Sequence, residues 1–158
     1  MDDQALKTLV GQGLSAMKAG GDVAARATAE IRSDATDPNL QQALDRGNEQ
    51  AKQWQGRIEQ ALEQAGGGDQ HDNKVLEAHH EVSKLIRQQA TDQSSRDLGI
   101  IASGQLALHY WIASFGTMKA YTARLGLTEA SQAMDQCSDE AGQADKQFSE
   151  LATKIMAG

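Results

Sequence analysis

Proline occurs once in this chain of 158 residues, at position 38. Cysteine also occurs once, and aromatic residues make up only 4% of the chain. Each scarcity excludes something. β-rich folds use proline at their many chain reversals, and strands favour aromatic and β-branched residues. All-β and doubly wound α/β architectures are therefore excluded. One cysteine cannot close an intramolecular disulfide, so a packed core must carry the fold, and a reducing, cytoplasmic setting is expected. Basic charge is scarce too: 15 Lys and Arg face 22 Asp and Glu, a formal net charge of −7. Nucleic-acid binding draws its affinity from clustered Lys and Arg, so no nucleic acid is expected as partner. Apolar runs stay well short of the roughly 20 residues of a membrane span. The start Met1-Asp2-Asp3-Gln4 is acidic, unlike a secretory signal. No membrane association is expected.

What is present favours helix. Ala, Gln, Leu, Glu and Lys dominate, and all have high helix propensity. The length suits one domain, residues 1–158, with a sizeable core. Five helical stretches are predicted, over about 3–33, 38–65, 73–91, 95–125 and 128–156. Gly20-Gly21 is a candidate interruption of the first. Asp37 reads as an N-cap with Pro38 at the first helical position, Thr128 as the cap of the last helix, and Gly126 as a C-terminal stop. Gly66-Gly67-Gly68 reads as a flexible linker and Gly11-Gln12-Gly13 as close packing or fraying. Neither has the Lys-Ser/Thr of a phosphate loop. Apolar residues recur at steps of three, four and seven, as in Leu40, Leu44, Trp54, Ile58 and Leu62. The last helix repeats this with Met134, Cys137, Ala141, Phe148 and Leu151. One apolar stripe per helix with short connections predicts an all-α antiparallel four-helix bundle with an additional shorter helix.

The fourth helix carries a more specific signal. Gln105-Leu106-Ala107-Leu108-His109-Tyr110-Trp111, then Phe115-Gly116-Thr117-Met118 and Leu125-Gly126, resembles the YciF-type ferritin-like family of bacterial stress-associated proteins. That family shows Gln, then Glu-His-Tyr-Glu, then Tyr-Gly-Thr-Leu, then Leu-Gly. Asp139-Glu140, Asp145 and Phe148-Ser149-Glu150 resemble its acidic last helix. Pro38, Leu40, Arg57 and Ile58 match it loosely in the second helix, and Glu81 with Leu85-Ile86 in the third.

The resemblance implies a ferritin-like fold, in which Glu and His spaced three or four apart hold two metals between helices. This chain departs from that pattern. Positions where the family carries ligands hold Gly21, Gly47, Gln50, Ala51, Trp54, Leu108, Trp111 and Ala141. Glu81, His109 and Glu140 are the residual candidates, and Glu49 fits only after a register shift. A di-metal centre needs about four carboxylates, so the family's redox chemistry does not carry over and no catalytic residue is expected. Trp54 and Trp111 are expected to fill the vacated centre, with Gly21 and Gly47 making room for their rings.

Other features have ordinary readings. His79 and His80 point about 100° apart on a helix, so they read as a solvated or partly buried face with Glu77 and Glu81. Cys137 falls in an apolar stripe and reads as a small hydrophobe. His109 reads as a structural histidine bonded to a carboxylate of another helix. The leading expectation is a non-enzymatic, stress-related or scaffold bundle, homodimeric, without cofactor. The alternatives are an iron or manganese protein built on Glu81, Glu140 and a histidine, and a binder of a small apolar ligand near Trp54 and Trp111.

Overall fold

The computed structural model describes residues 2–158. Five helices follow in order: α1 (Asp3–Asp34), α2 (Pro38–Gln64), α3 (Lys74–Gln89), α4 (Gln93–Arg124) and α5 (Thr128–Ala157). Among the described residues there is no strand. The helix starts follow from local chemistry. Asp2 and Asp37 accept backbone N–H bonds at the heads of α1 and α2, and Pro38 opens α2. Asp92 and Ser95 form a reciprocal capping box on α4, which therefore begins at Gln93 rather than at Ser95 as predicted. Gly126, at φ 73°, takes the left-handed turn that ends α4.

Two predictions of helix punctuation fail. Helix α1 runs unbroken through Gly20-Gly21. A Cβ at Gly20 would lie 2.5 Å from the Asn73 amide and 2.9 Å from Leu76. The missing side chain lets α3 approach α1, and that packing outweighs the helix-propensity cost of roughly 1 kcal/mol. Thr128 is the first residue of α5, not its cap; Leu127 takes that place and offers no side-chain bond. The Gly66–Gly68 linker lies against α1, because a Cβ at Gly11 would fall 2.8 Å from the Gly67 carbonyl.

Short links make α1 antiparallel to α2 and α4 antiparallel to α5. The bundle closes through α2 against α5 and α1 against α4, and α3 packs on α1 and α4. The end of α1, the start of α2 and the start of α4 meet at Asp97, which is 2% exposed. Its carboxylate accepts the Thr36 N–H (2.8 Å), the Thr36 hydroxyl (2.7 Å) and the Asp37 N–H (2.8 Å). Asp97→Ala strands three donors and is expected to cost about 2 kcal/mol. Amide exchange at Thr36 and Asp37 should accelerate, and unchanged exchange there would contradict this role.

The core divides in two. One cluster holds Val10, Leu14, Met17, Trp54, Ile58, Trp111, Phe115, Met134 and Cys137. The other, near Asp97, holds Ala35, Leu40, Leu44, Ile100, Ile101 and Leu151. Among the described residues, α4 alone is long and apolar enough to cross a membrane, and most of its apolar stretch is not buried inside the bundle. Its inward side carries Trp111, Phe115 and Met118, all buried.

Candidate functional site

Between the two clusters lies a cavity of about 370 Å³, at the level of the positions that the YciF-type resemblance would make metal ligands. Gly47, Gln50 and Trp54 of α2, Leu108 and Trp111 of α4, and Glu140 of α5 all line it. Helical spacing accounts for this convergence: positions 47, 50 and 54, and positions 108 and 111, repeat along one face of their helices.

Both indoles are buried, as expected, each 6% exposed. Trp54 and Trp111 lie 6.3 Å apart between ring centroids. Phe115 stacks on Trp111 at 5.5 Å and meets Trp54 edge-on at 5.4 Å. The expected partnership with glycine is corrected. The side of Gly21 faces the Gln55 amide, not an indole, and nothing lies within 4 Å of a Cβ placed on Gly47. The tryptophans pack on Phe115 and on each other, and Gly47, itself exposed, lies at the open rim of the cavity beside them.

Glu140 is the polar focus of the site. Its Oε2 accepts from Arg57 Nη1 at 2.6 Å, Trp54 Nε1 at 2.8 Å and Gln50 Nε2 at 2.8 Å. Its Oε1 accepts from Gln136 at 2.9 Å. Burial alone would push the Glu140 carboxyl up, but the bonds from Arg57, Trp54 and Gln136 outweigh it and hold the pKa below the ordinary glutamate value. Arg57 is correspondingly raised, chiefly by its bond to Glu140. Its Nη1 also lies 3.6 Å from Cys137 Sγ. Cys137 is fully buried, and desolvation raises its thiol pKa despite that neighbour. It is therefore a thiol, not a reactive thiolate.

The other candidate ligands do not join Glu140. Glu81 is 69% exposed and pairs with Lys84. His109 is 64% exposed, with Nε2 3.5 Å from Asp145 of α5, the cross-helix carboxylate expected of it. His79 bonds the Ser103 carbonyl at 2.9 Å, and His80 lies 3.3 Å from Glu30. Ala141 is wholly buried and Leu108 partly so. Among the described residues no three His, Cys, Asp or Glu side chains come together as a metal site. The residues present therefore do not fit a di-metal centre: the one inward carboxylate already has a guanidinium as its cation. Sequence reasoning passed over Arg57 as a site residue. Gln50, Trp54 and Arg57 stand at i, i+4 and i+7, a spacing that already put all three on one face toward α5.

The comparisons with known proteins agree with this architecture. The profile of the family described as a domain of unknown function, DUF892, matches residues 12–158. The chain belongs to this family. Among solved structures it is similar to the E. coli stress protein YciF, with TM-score 0.91 at 22% identity, covering 96% of this chain and 97% of that one. It is also similar to YcfI from Rhodopseudomonas palustris, whose description proposes a structural role, with TM-score 0.86 at 20% identity, covering 91% and 92%. No curated protein is matched by sequence. The YciF-type resemblance and the all-α helical fold are thus borne out.

Proposed function

We propose that this DUF892 member is a non-enzymatic, stress-related structural bundle in which an internal ion pair stands where metal-binding relatives would hold cations. One observation carries this reading: a single oxygen of Glu140 receives Arg57, Trp54 and Gln50. A carboxylate so engaged has little capacity left for a metal, and a neighbouring guanidinium repels one. The descriptions of YciF as a stress protein and of YcfI as structural support the same class of role. The buried, free Cys137 suits the reducing cytoplasm.

The protein, purified without a histidine tag, should contain far less than one equivalent of iron, manganese or zinc. Anaerobic Fe(II) titration should give no saturable binding. Stoichiometric metal that is lost in Glu81→Ala and Glu140→Ala would overturn the reading and establish the iron or manganese alternative.

As a structural component the chain needs a partner, and the one we propose is a second copy. Ala102, Leu106, Ala113, Gly116, Ala120 and Ala123 recur along α4 at heptad spacing with His109, and all are exposed. Leu106 is 61% exposed. Small, uncharged residues at that spacing allow close antiparallel helix pairing across a two-fold axis. Sedimentation equilibrium should give a dimer that Leu106→Glu with Ala113→Glu converts to monomer. A monomeric wild type at micromolar concentration would refute the pairing.

A further inference from the structure

We propose that the cavity between the two core clusters binds a small, neutral aromatic molecule bearing one hydroxyl group. The proposal goes beyond the structural role above and does not depend on it.

The cavity's size is the first argument. At about 370 Å³ it falls within the roughly 300–1,000 Å³ of small-molecule sites. Apolar cavities of roughly 150 Å³ already take benzene. Its walls are the second: Leu44, Ile100, Leu108 and Phe148 line it together with both tryptophans. Aromatic walls favour a flat aromatic guest through offset or edge-on contacts. The exposed Arg46, Gln143 and Gln147 also line it, on α2 and α5, so it is reached from that side.

The third argument is unmet hydrogen bonding at the opposite wall. Ser103 and His80 line the cavity on α4 and α3. The Ser103 hydroxyl and His80 Nδ1 are buried and have no hydrogen-bond partner. Such atoms are rare in folded proteins because leaving them unpaired is costly. His80 Nε2 lies 3.3 Å from Glu30, so when that nitrogen donates, Nδ1 is an acceptor. Rotation about Cα–Cβ brings the Ser103 hydroxyl, which has no partner of its own, to a ligand hydroxyl that accepts from it. The lining carboxylate, Glu140, is already paired with Arg57 and so does not attract a cation, and Arg46, the lining cation, is exposed to solvent, which weakens its pull on an anion.

The probes are 2-naphthol and naphthalene, which share the apolar body and differ by the hydroxyl. Trp54 and Trp111 are the chain's two tryptophans, so two indole N–H resonances report the cavity directly. Titration of 2-naphthol should shift both, with a dissociation constant of about 100 µM. Ser103→Ala removes a hydroxyl that has no partner, so the protein should stay folded. It should weaken 2-naphthol about five- to tenfold and leave naphthalene within about twofold. Gly47→Phe places a ring at the cavity's exposed rim, where no atom lies within 4 Å of the new Cβ, and should weaken both probes alike. No saturable shift in the wild type overturns the proposal. So does equal loss of both probes, or of neither, in Ser103→Ala, or full affinity in Gly47→Phe. Metal content, measured on the same preparation, tests the structural reading separately.

Discussion

Trp111→Ala is expected to lower the unfolding free energy by about 3–5 kcal/mol. Melting should fall by roughly 10 °C for a chain of this size. The indole is 6% exposed and touches three rings: Phe115 at 5.5 Å, Trp54 at 6.3 Å and Tyr110 at 5.2 Å between centroids. Truncation removes those contacts and joins the vacated volume to the cavity already beside it. Collapse cannot repair this, because the surrounding helices are held by Asp97 at one end and by the bond between Gln64 and the Ala130 N–H at the other. Trp111→Phe keeps a ring and should cost less than half as much. Leu106→Ala, on the exposed side of the same helix, should change monomer stability by under about 0.5 kcal/mol. Urea unfolding of the three variants checks the order. A Trp111→Ala cost below about 1 kcal/mol would mean the aromatic cluster does not organise this core.

Periodicity made the helices, their antiparallel order and the inward faces legible before any coordinates. Asp37-Pro38 and Gly126 worked as signals because their effects are local: a side chain bonding its own helix start, a φ that glycine tolerates. Gly20-Gly21 misled because its role is tertiary. Propensity counts the cost of glycine within one helix and cannot see Asn73 and Leu76 packing against it. The same limit explains Gly47. Spacing places it on the inner face beside Trp54, but spacing measures direction and not volume, so a cavity and a filled core read alike. The resemblance pointed to positions that line one cavity, while the chemistry there was hidden in Arg57. A single cation beside an apolar stripe reads as solvated unless a partner at Glu140, 83 residues away, is known to face it.

That pair also sets the second large effect. Glu140→Ala leaves the Arg57 guanidinium, about 22% exposed, without its counter-charge and strips the acceptor from Trp54 and Gln50. Removing one member of a buried pair costs about 3–5 kcal/mol; partial exposure on both sides reduces the expectation here to about 2–4 kcal/mol. Glu140→Gln keeps an acceptor of the same shape but not the charge, and should fall between. The pH dependence separates charge from packing. Burial opposes ionisation of Glu140, yet the bonds from Arg57, Trp54 and Gln136 prevail and depress its folded pKa below the unfolded value of about 4.3. A depressed acid contributes its full stability above the unfolded pKa and loses it as pH falls through the folded one. The stability gap between wild type and Glu140→Gln should therefore be constant from about pH 8 to 5 and shrink below about 4.3. A gap that persists undiminished at lower pH would show that packing, rather than the Arg57–Glu140 charge pair, holds α2 to α5.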